Sequence, residues 1–246
     1  MKPDINEMIL YEDKHIIVCR KPAGIAVQSS RIGTPDMVSL LKNHLASSRA
    51  RFNSSGSTAP VRTSGSGDPY LAVIHRLDQP VAGFLVFAKT PAAAKDLNRQ
   101  LTASGFGKYY MALVSGVPSK KEGTLEDYLI RDGRTNTSRV CEKNVSGAKK
   151  AVLHYQVEEV RGGTSLVRIR LDTGRHHQIR VQMAHIGCPL IGDRKYGRQN
   201  STDQSSEMPG GTGSQQPLCL FAYRLEFAHP EDHRKMEFME PFPYFD

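Results

Sequence analysis

Short runs rich in β-branched and aromatic residues punctuate the chain and predict strands over His15–Cys19, Gly83–Lys89, Tyr109–Ser115, Val152–Val160, Ser165–Leu171, Leu218–Phe227 and Lys235–Met239. Helical signals are fewer. Asp36–Leu45 follows Thr34-Pro35 and Ala92–Thr102 follows Thr90-Pro91, in each case a capping hydroxyl with a proline behind it. A third helix is expected from about Arg175 to Ile186, where Ile179, Met183 and Ile186 share one face and Gly187 supplies a stop. Strands do not alternate regularly with helices, so the pattern implies an α+β fold on a mixed, mainly antiparallel central sheet with flanking helices.

Two stretches break this pattern, Ser47–Asp68 and Gln199–Gln216, both dominated by small polar residues. They read as flexible insertions from the surface of one fold. A single catalytic domain spanning residues 1–246 is the expectation, since that length buries a core without needing a second one.

Composition narrows the function. Thirty-three Lys and Arg against 25 Asp and Glu leave a net charge of +8, which favours a polyanionic partner such as nucleic acid or an acidic membrane surface. The first twenty residues carry acidic groups and no long apolar run, so neither a secretory signal nor a membrane span is expected there. A cytoplasmic, monomeric protein is the default. Cys19, Cys141, Cys188 and Cys219 lie far apart and read as ordinary reduced thiols.

Candidate chemistry sits in two segments. In Ala72–Gly83 a polar cluster, His75-Arg76-Leu77-Asp78, interrupts two apolar runs that both suit strands, and a carboxylate beside those cations stays ionised. A solvated turn with a surface salt bridge explains the same residues. In Leu171–Arg180, Arg175 and Arg180 suit a phosphate or a carboxylate at a helix start. Arg180, next to an apolar helix position, needs an acidic partner, for which Asp78 is a candidate. A metal held by His176, His177, His185 and Cys188 is disfavoured, because adjacent histidines on a helix point apart. Tyr109 and Tyr110 are consecutive in a strand and must face opposite sides of the sheet.

Taken together and in order, these segments resemble the RluA family of pseudouridine synthases, from Ile9 almost to the C-terminus. The carrying motifs are the opening Tyr11–Gly24 with Lys21-Pro22, then His75-Arg-Leu-Asp78, Lys108-x-Tyr110-x-Ala112, Thr173-Gly-Arg-x-His-Gln-Ile-Arg180 and Gly187–Gly197. One departure is visible: the family usually continues its H-R-L-D motif with x-x-T-S-G, and here Val81-Ala82-Gly83 replaces the two hydroxyls.

The resemblance implies a pseudouridine synthase fold with an RNA-binding cleft and a uridine isomerase acting on ribosomal or transfer RNA. It makes Asp78 the essential carboxylate, Tyr110 and Arg180 its catalytic companions, and Arg76 a residue that extrudes the target nucleotide. His75, Arg175, His177 and Gln178 join Arg76 as expected substrate contacts. No preceding S4 domain is expected, because only a handful of residues come before the core. Atoms are only rearranged in the reaction, so no metal or other cofactor is expected. Attack by Asp78 at the sugar, attack at C6, and abstraction of a sugar proton all remain open. An inactive RNA-binding relative is the main rival; a glycoside hydrolase needs a second acid that neither segment supplies.

Overall fold

The computed structural model describes residues 4–31, 33–54, 68–103, 105–197 and 216–243. Its elements are α1 (Ile5–Met8), β1 (Ile9–Glu12), β2 (Ile16–Lys21), α2 (Met37–Ser54), β3 (Ala72–Val73), β4 (Ala82–Ala88), α3 (Pro91–Thr102), β5 (Gly107–Ser115), β6 (Glu122–Asp132), β7 (Thr137–Cys141), β8 (Lys149–Arg161), β9 (Thr164–Leu171), α4 (Gln178–His185), β10 (Leu220–Ala228) and β11 (Lys235–Met239). They divide into two compact units. The first comprises Met1–Phe106 with Glu226–Glu237, the second Gly107–Leu225 with Phe238–Asp246.

In the first unit β2 pairs antiparallel with β1 and with β4, and β3 with β4. All seven residues of β4 are buried. Its apolar run AGFLVFA pairs with β2 and contacts α3, and Ile16 and Ile17 of β2, Met37 and Leu41 of α2 and Leu97 of α3 are likewise buried. Thr90 caps α3 as its sequence predicts, accepting from the Ala93 amide with Pro91 behind it. The cap of α2 is Asp36, not Thr34: its carboxylate accepts from the Ser39 amide at 2.7 Å while the Ser39 hydroxyl accepts from the Asp36 amide. That helix also runs on to Ser54, past the expected Leu45, because Ala46–Ser54 holds no Gly or Pro to stop it. The first eight residues of the insertion expected over Ser47–Asp68 are therefore helical and not flexible, while residues 55–67 of it and 199–215 of the second lie outside the described residues.

In the second unit the antiparallel order is β5-β9-β8-β6-β7. The sequence pattern finds β5, β8 and β9 but passes over β6 and β7. Glu122, Thr124 and Glu126 alternate with Gly123, Leu125 and Asp127, so β6 lacks the apolar stripe that marks its neighbours. α4 starts later than expected because Thr173–His177 forms a turn in which His177 takes a left-handed φ of 55°. Among the described residues no helix is long and apolar enough to cross a membrane.

The segment after α4 is strapped to β5. The Ser115 amide donates to the Pro189 carbonyl, Ile191 to Leu113, and Cys219 back to Ile191. Gly192 has φ +76°, and an added Cβ there would land on the Pro217 carbonyl. Gly192→Ala is therefore expected to cost roughly 2–4 kcal/mol, combining a strained φ with a backbone clash. Chemical denaturation of the variant measures it; a loss under half a kcal/mol would mean that the strap is not fixed.

Candidate active site

Asp78 lies in the first unit, in a turn between β3 and β4. Ile74 and Leu77 are buried and pin the segment, leaving Asp78 half-buried and Arg76 exposed. The Asp78 carbonyl accepts from the Val81 amide at 3.0 Å, which closes the turn. Its next residue is gripped from the β2–α2 loop: the Gln79 carbonyl accepts from the Gly24 amide at 2.8 Å and from the Lys21 ammonium at 3.1 Å. The Gln79 side chain donates back to the Gly24 carbonyl.

Lys21 is fully buried. Its ammonium also donates to the carbonyls of Pro22 and Ile25, so three main-chain oxygens replace its water. Burial lowers its pKa to about 8, against the opposing attraction of Asp78 and Cys19. Sequence reasoning quoted Lys21 within a motif but gave it no role. The signal was a lysine ending an otherwise apolar strand, Ile-Ile-Val-Cys-Arg-Lys.

His75 sits in the same turn, its ring 5.2 Å from Phe106 in an edge-on contact, while Phe106 stacks on Phe227. Arg76 reaches Gln28 through Nη2 at 3.3 Å. Val81 and Ala82, where the family's hydroxyls are missing, are both buried. Gly83 has φ 132°, a backbone state that side chains disfavour, which gives a physical reason for a glycine there.

Tyr110, Arg175, His177, Gln178 and Arg180 belong to the second unit. Tyr110 is buried on β5 opposite Ile169 of β9. Gln178 is turned inward and ties the preceding turn: its carbonyl oxygen accepts from the Thr173 hydroxyl and the Arg175 amide, and its amide donates to the Val152 carbonyl. Arg175 is exposed and donates through Nε to the Lys150 carbonyl.

Arg180 is buried in a two-pronged pair with Asp193, Nε and Nη2 each 2.8 Å from a carboxylate oxygen. Burial raises the Asp193 pKa, but Arg180 and the amides of Lys195 and Tyr196 outweigh it and hold the carboxyl below its usual range. The Tyr196 ring lies 5.2 Å from the Arg180 guanidinium, and its hydroxyl accepts from the Ser138 amide. Asp193 and Tyr196, whose motif the sequence displays, thus build the cradle of Arg180, a role the sequence pattern did not assign to them.

His177 is buried, and its pKa is lowered to about 3 by burial first and then by Arg180 and its neighbouring cations. The ring is therefore neutral. The Tyr196 hydroxyl, which accepts from the Ser138 amide, also lies 2.7 Å from His177 Nδ1 and holds the ring in place. His176 stacks on His177 at 3.7 Å and is lowered to about 4, again chiefly by burial.

These shifts share one sign. The unfolded histidines take up protons below about pH 6.5, while the folded ones resist until about 4 and 3, and Asp193 keeps its charge below the normal carboxylate range. Stability should therefore fall as pH drops from 7 toward 4. Melting temperature against pH tests this, and His176→Asn should flatten the decline. Asp193→Asn removes the two-pronged carboxylate acceptor of a buried guanidinium and should cost roughly 3–5 kcal/mol at pH 7; a near-neutral result would show that the pair is dispensable.

The chain matches the family model described as RNA pseudouridylate synthase over residues 15–185. It is 33% identical to an uncharacterised RNA pseudouridine synthase of Bacillus subtilis, covering 98% of this chain and 70% of that protein. A ribosomal large subunit pseudouridine synthase D of Pseudomonas aeruginosa is 34% identical, with coverage of 98% and 69%. Among solved structures, human RNA pseudouridylate synthase domain containing 4 superposes with a TM-score of 0.70 at 23% identity, over 98% of this chain and 90% of that one. That likeness bears on the fold and agrees with the α+β architecture expected from the strand pattern. Family model, curated relatives and the ordered motifs agree: the chain belongs to the RNA pseudouridylate synthase family.

Proposed function

We propose that this RNA pseudouridine synthase isomerises specific uridines in structured ribosomal or transfer RNA, acting as a cytoplasmic monomer, with Asp78 as the essential carboxylate. Large-subunit ribosomal RNA is the favoured substrate, since several relatives carry that RNA in their names. The observation that carries the reading is the Asp78 turn, held through Gln79 by a buried ammonium that also attracts the carboxylate.

The reaction breaks the N1–C1′ bond, turns the uracil and joins C5 to C1′, with the C5 proton lost and N1 protonated. A carboxylate serves it as a nucleophile at C1′ or C6, or as a base toward a sugar proton. Lys21 places a buried positive charge near Asp78, whose attraction it feels in turn. Tyr110 and Arg180 complete the proposed catalytic set, Tyr110 as the aromatic group for the uracil and Arg180 as a cation fixed by Asp193. Arg76, His75 and Arg175 are proposed substrate contacts, with Arg76 extruding the nucleotide at an unstacking cost of a few kcal/mol. His177 and Gln178 serve the same end by shaping the turn that carries Arg175.

The test is pseudouridine mapping by carbodiimide-based primer extension in RNA from cells lacking the gene, rescued with wild type or Asp78→Asn. One site should vanish and return only with wild type; rescue by Asp78→Asn would remove the carboxylate from the mechanism. A pH profile of purified protein probes Lys21. Above about pH 8 the folded Lys21 loses its proton, so activity should decline there, and Lys21→Met should show low activity without that alkaline limb. A wild-type rate flat to pH 10 would exclude Lys21 from positioning the turn.

A further inference from the structure

The second unit has a polar sheet face that the proposed chemistry does not use. On β5 the side chains alternate, so Tyr109 and Met111 face away from Tyr110. The register continues this face across the sheet: Tyr109 pairs with Arg170, Arg170 with His154 and His154 with Thr124, while Met111 pairs with Arg168 and Arg168 with Gln156. An open concavity of about 570 Å³ lies here, lined by Tyr109, Arg168, Arg170, Tyr223 and Arg224 among others. That volume is within the roughly 300–1,000 Å³ of small-ligand sites.

We propose that this face binds a single-stranded stretch of RNA outside the target nucleotide. The inference rests on the reading of the protein as an RNA enzyme and adds a second contact surface to it. Three arginines line the concavity against one carboxylate, Glu122. Arg224 lies 4.9 Å from the centre of the Tyr109 ring, so an aromatic plane and a guanidinium are presented together. At the rim, Glu158 binds Arg168 Nε at 2.7 Å and Asp172 approaches Arg170 Nη2 at 3.5 Å. These carboxylates partly offset the charge but also hold two long side chains extended, which lowers the cost of ordering them on binding. His154 bridges the Thr124 hydroxyl and Asp172, so the floor is fixed by hydrogen bonds. Guanidinium groups for phosphates, tyrosine rings for bases and an open path are what an unpaired strand requires.

A fluorescent dodecaadenylate is the probe, because it contains no uridine and cannot occupy the site as substrate. Anisotropy titrations of the full chain should show Arg168→Ala/Arg170→Ala binding about tenfold more weakly, and the slope of log affinity against log salt reduced by about 1.4 for two lost phosphate contacts. Arg170→Gln, a single change at a half-exposed side chain, should lose about threefold and guards against misfolding of the double variant. A 6-thioguanosine placed mid-strand should crosslink to peptides containing Tyr109 or Tyr223. Unchanged affinity in both variants, or crosslinks confined to peptides outside this face, would overturn the inference and leave the face to a protein or to solvent. Pseudouridine formation, measured on the same preparations, separates the two claims. Active protein with unchanged oligonucleotide binding sinks only the second surface, whereas inactive protein with arginine-dependent binding sinks only the enzymatic reading.

Discussion

A cation taken out of water has to be matched where it lies, and the backbone of each unit is shaped by that requirement. In one unit the cation is Lys21, a compact ammonium that three carbonyls can surround. In the other it is Arg180, whose planar fork demands two parallel acceptors and finds them in Asp193. The two solutions have different consequences. Carbonyl ligation ties together three loop positions and leaves the charge uncompensated, so the nearby Asp78 carboxylate feels it. Carboxylate pairing gives Arg180 two fixed acceptors and turns it into a rigid anchor.

From the Arg180 pair the rest of that turn follows in order. The Lys195 and Tyr196 amides close on Asp193, which sets the Tyr196 ring beside the guanidinium. The Tyr196 hydroxyl then bridges the Ser138 amide to His177 and holds the imidazole in place. His177 adopts a left-handed backbone to begin α4, and Gln178 fills the space behind with its amide bonded at both ends. A run of polar residues that reads as a cluster of substrate contacts is therefore largely occupied with holding itself in shape. Arg175 at its exposed edge is the member most available to a ligand.

Much of this was legible in the sequence. All seven expected strands are present, because β-branched runs bounded by turn residues mark buried strands well; Thr90-Pro91 marked α3 for the same local reason. The opposite facing of Tyr109 and Tyr110 followed from strand alternation alone, and the sheet register bears it out. What the sequence concealed depends on contacts distant along the chain. Lys21 meets Gln79 across 58 positions, and no periodicity connects them. Arg180 plainly needed an acid, but that Asp193, thirteen residues on, supplies two of its acceptors could not be read without the turn that folds it back. β6 was hidden because its pairing with β8 rests on the backbone ladder, which its polar alternation over Glu122–Asp127 does not advertise.

The Val81-Ala82 departure can be weighed physically. Both side chains are buried, at 2% and 7% exposure, at the start of a strand whose every residue is buried. A hydroxyl placed there must find a partner or cost about 1–3 kcal/mol, whereas a methyl of similar size needs none. Val is close to Thr in shape and Ala to Ser, so the substitutions preserve volume while removing an obligation to hydrogen-bond. The backbone features that shape the turn lie elsewhere: the Val81 amide still closes on the Asp78 carbonyl, Gly83 still takes its unusual φ, and Lys21 still holds Gln79. None of these uses the lost hydroxyls. The departure is thus a change in how the strand start is filled, and the turn that presents Asp78 stands on main-chain contacts that the change leaves in place.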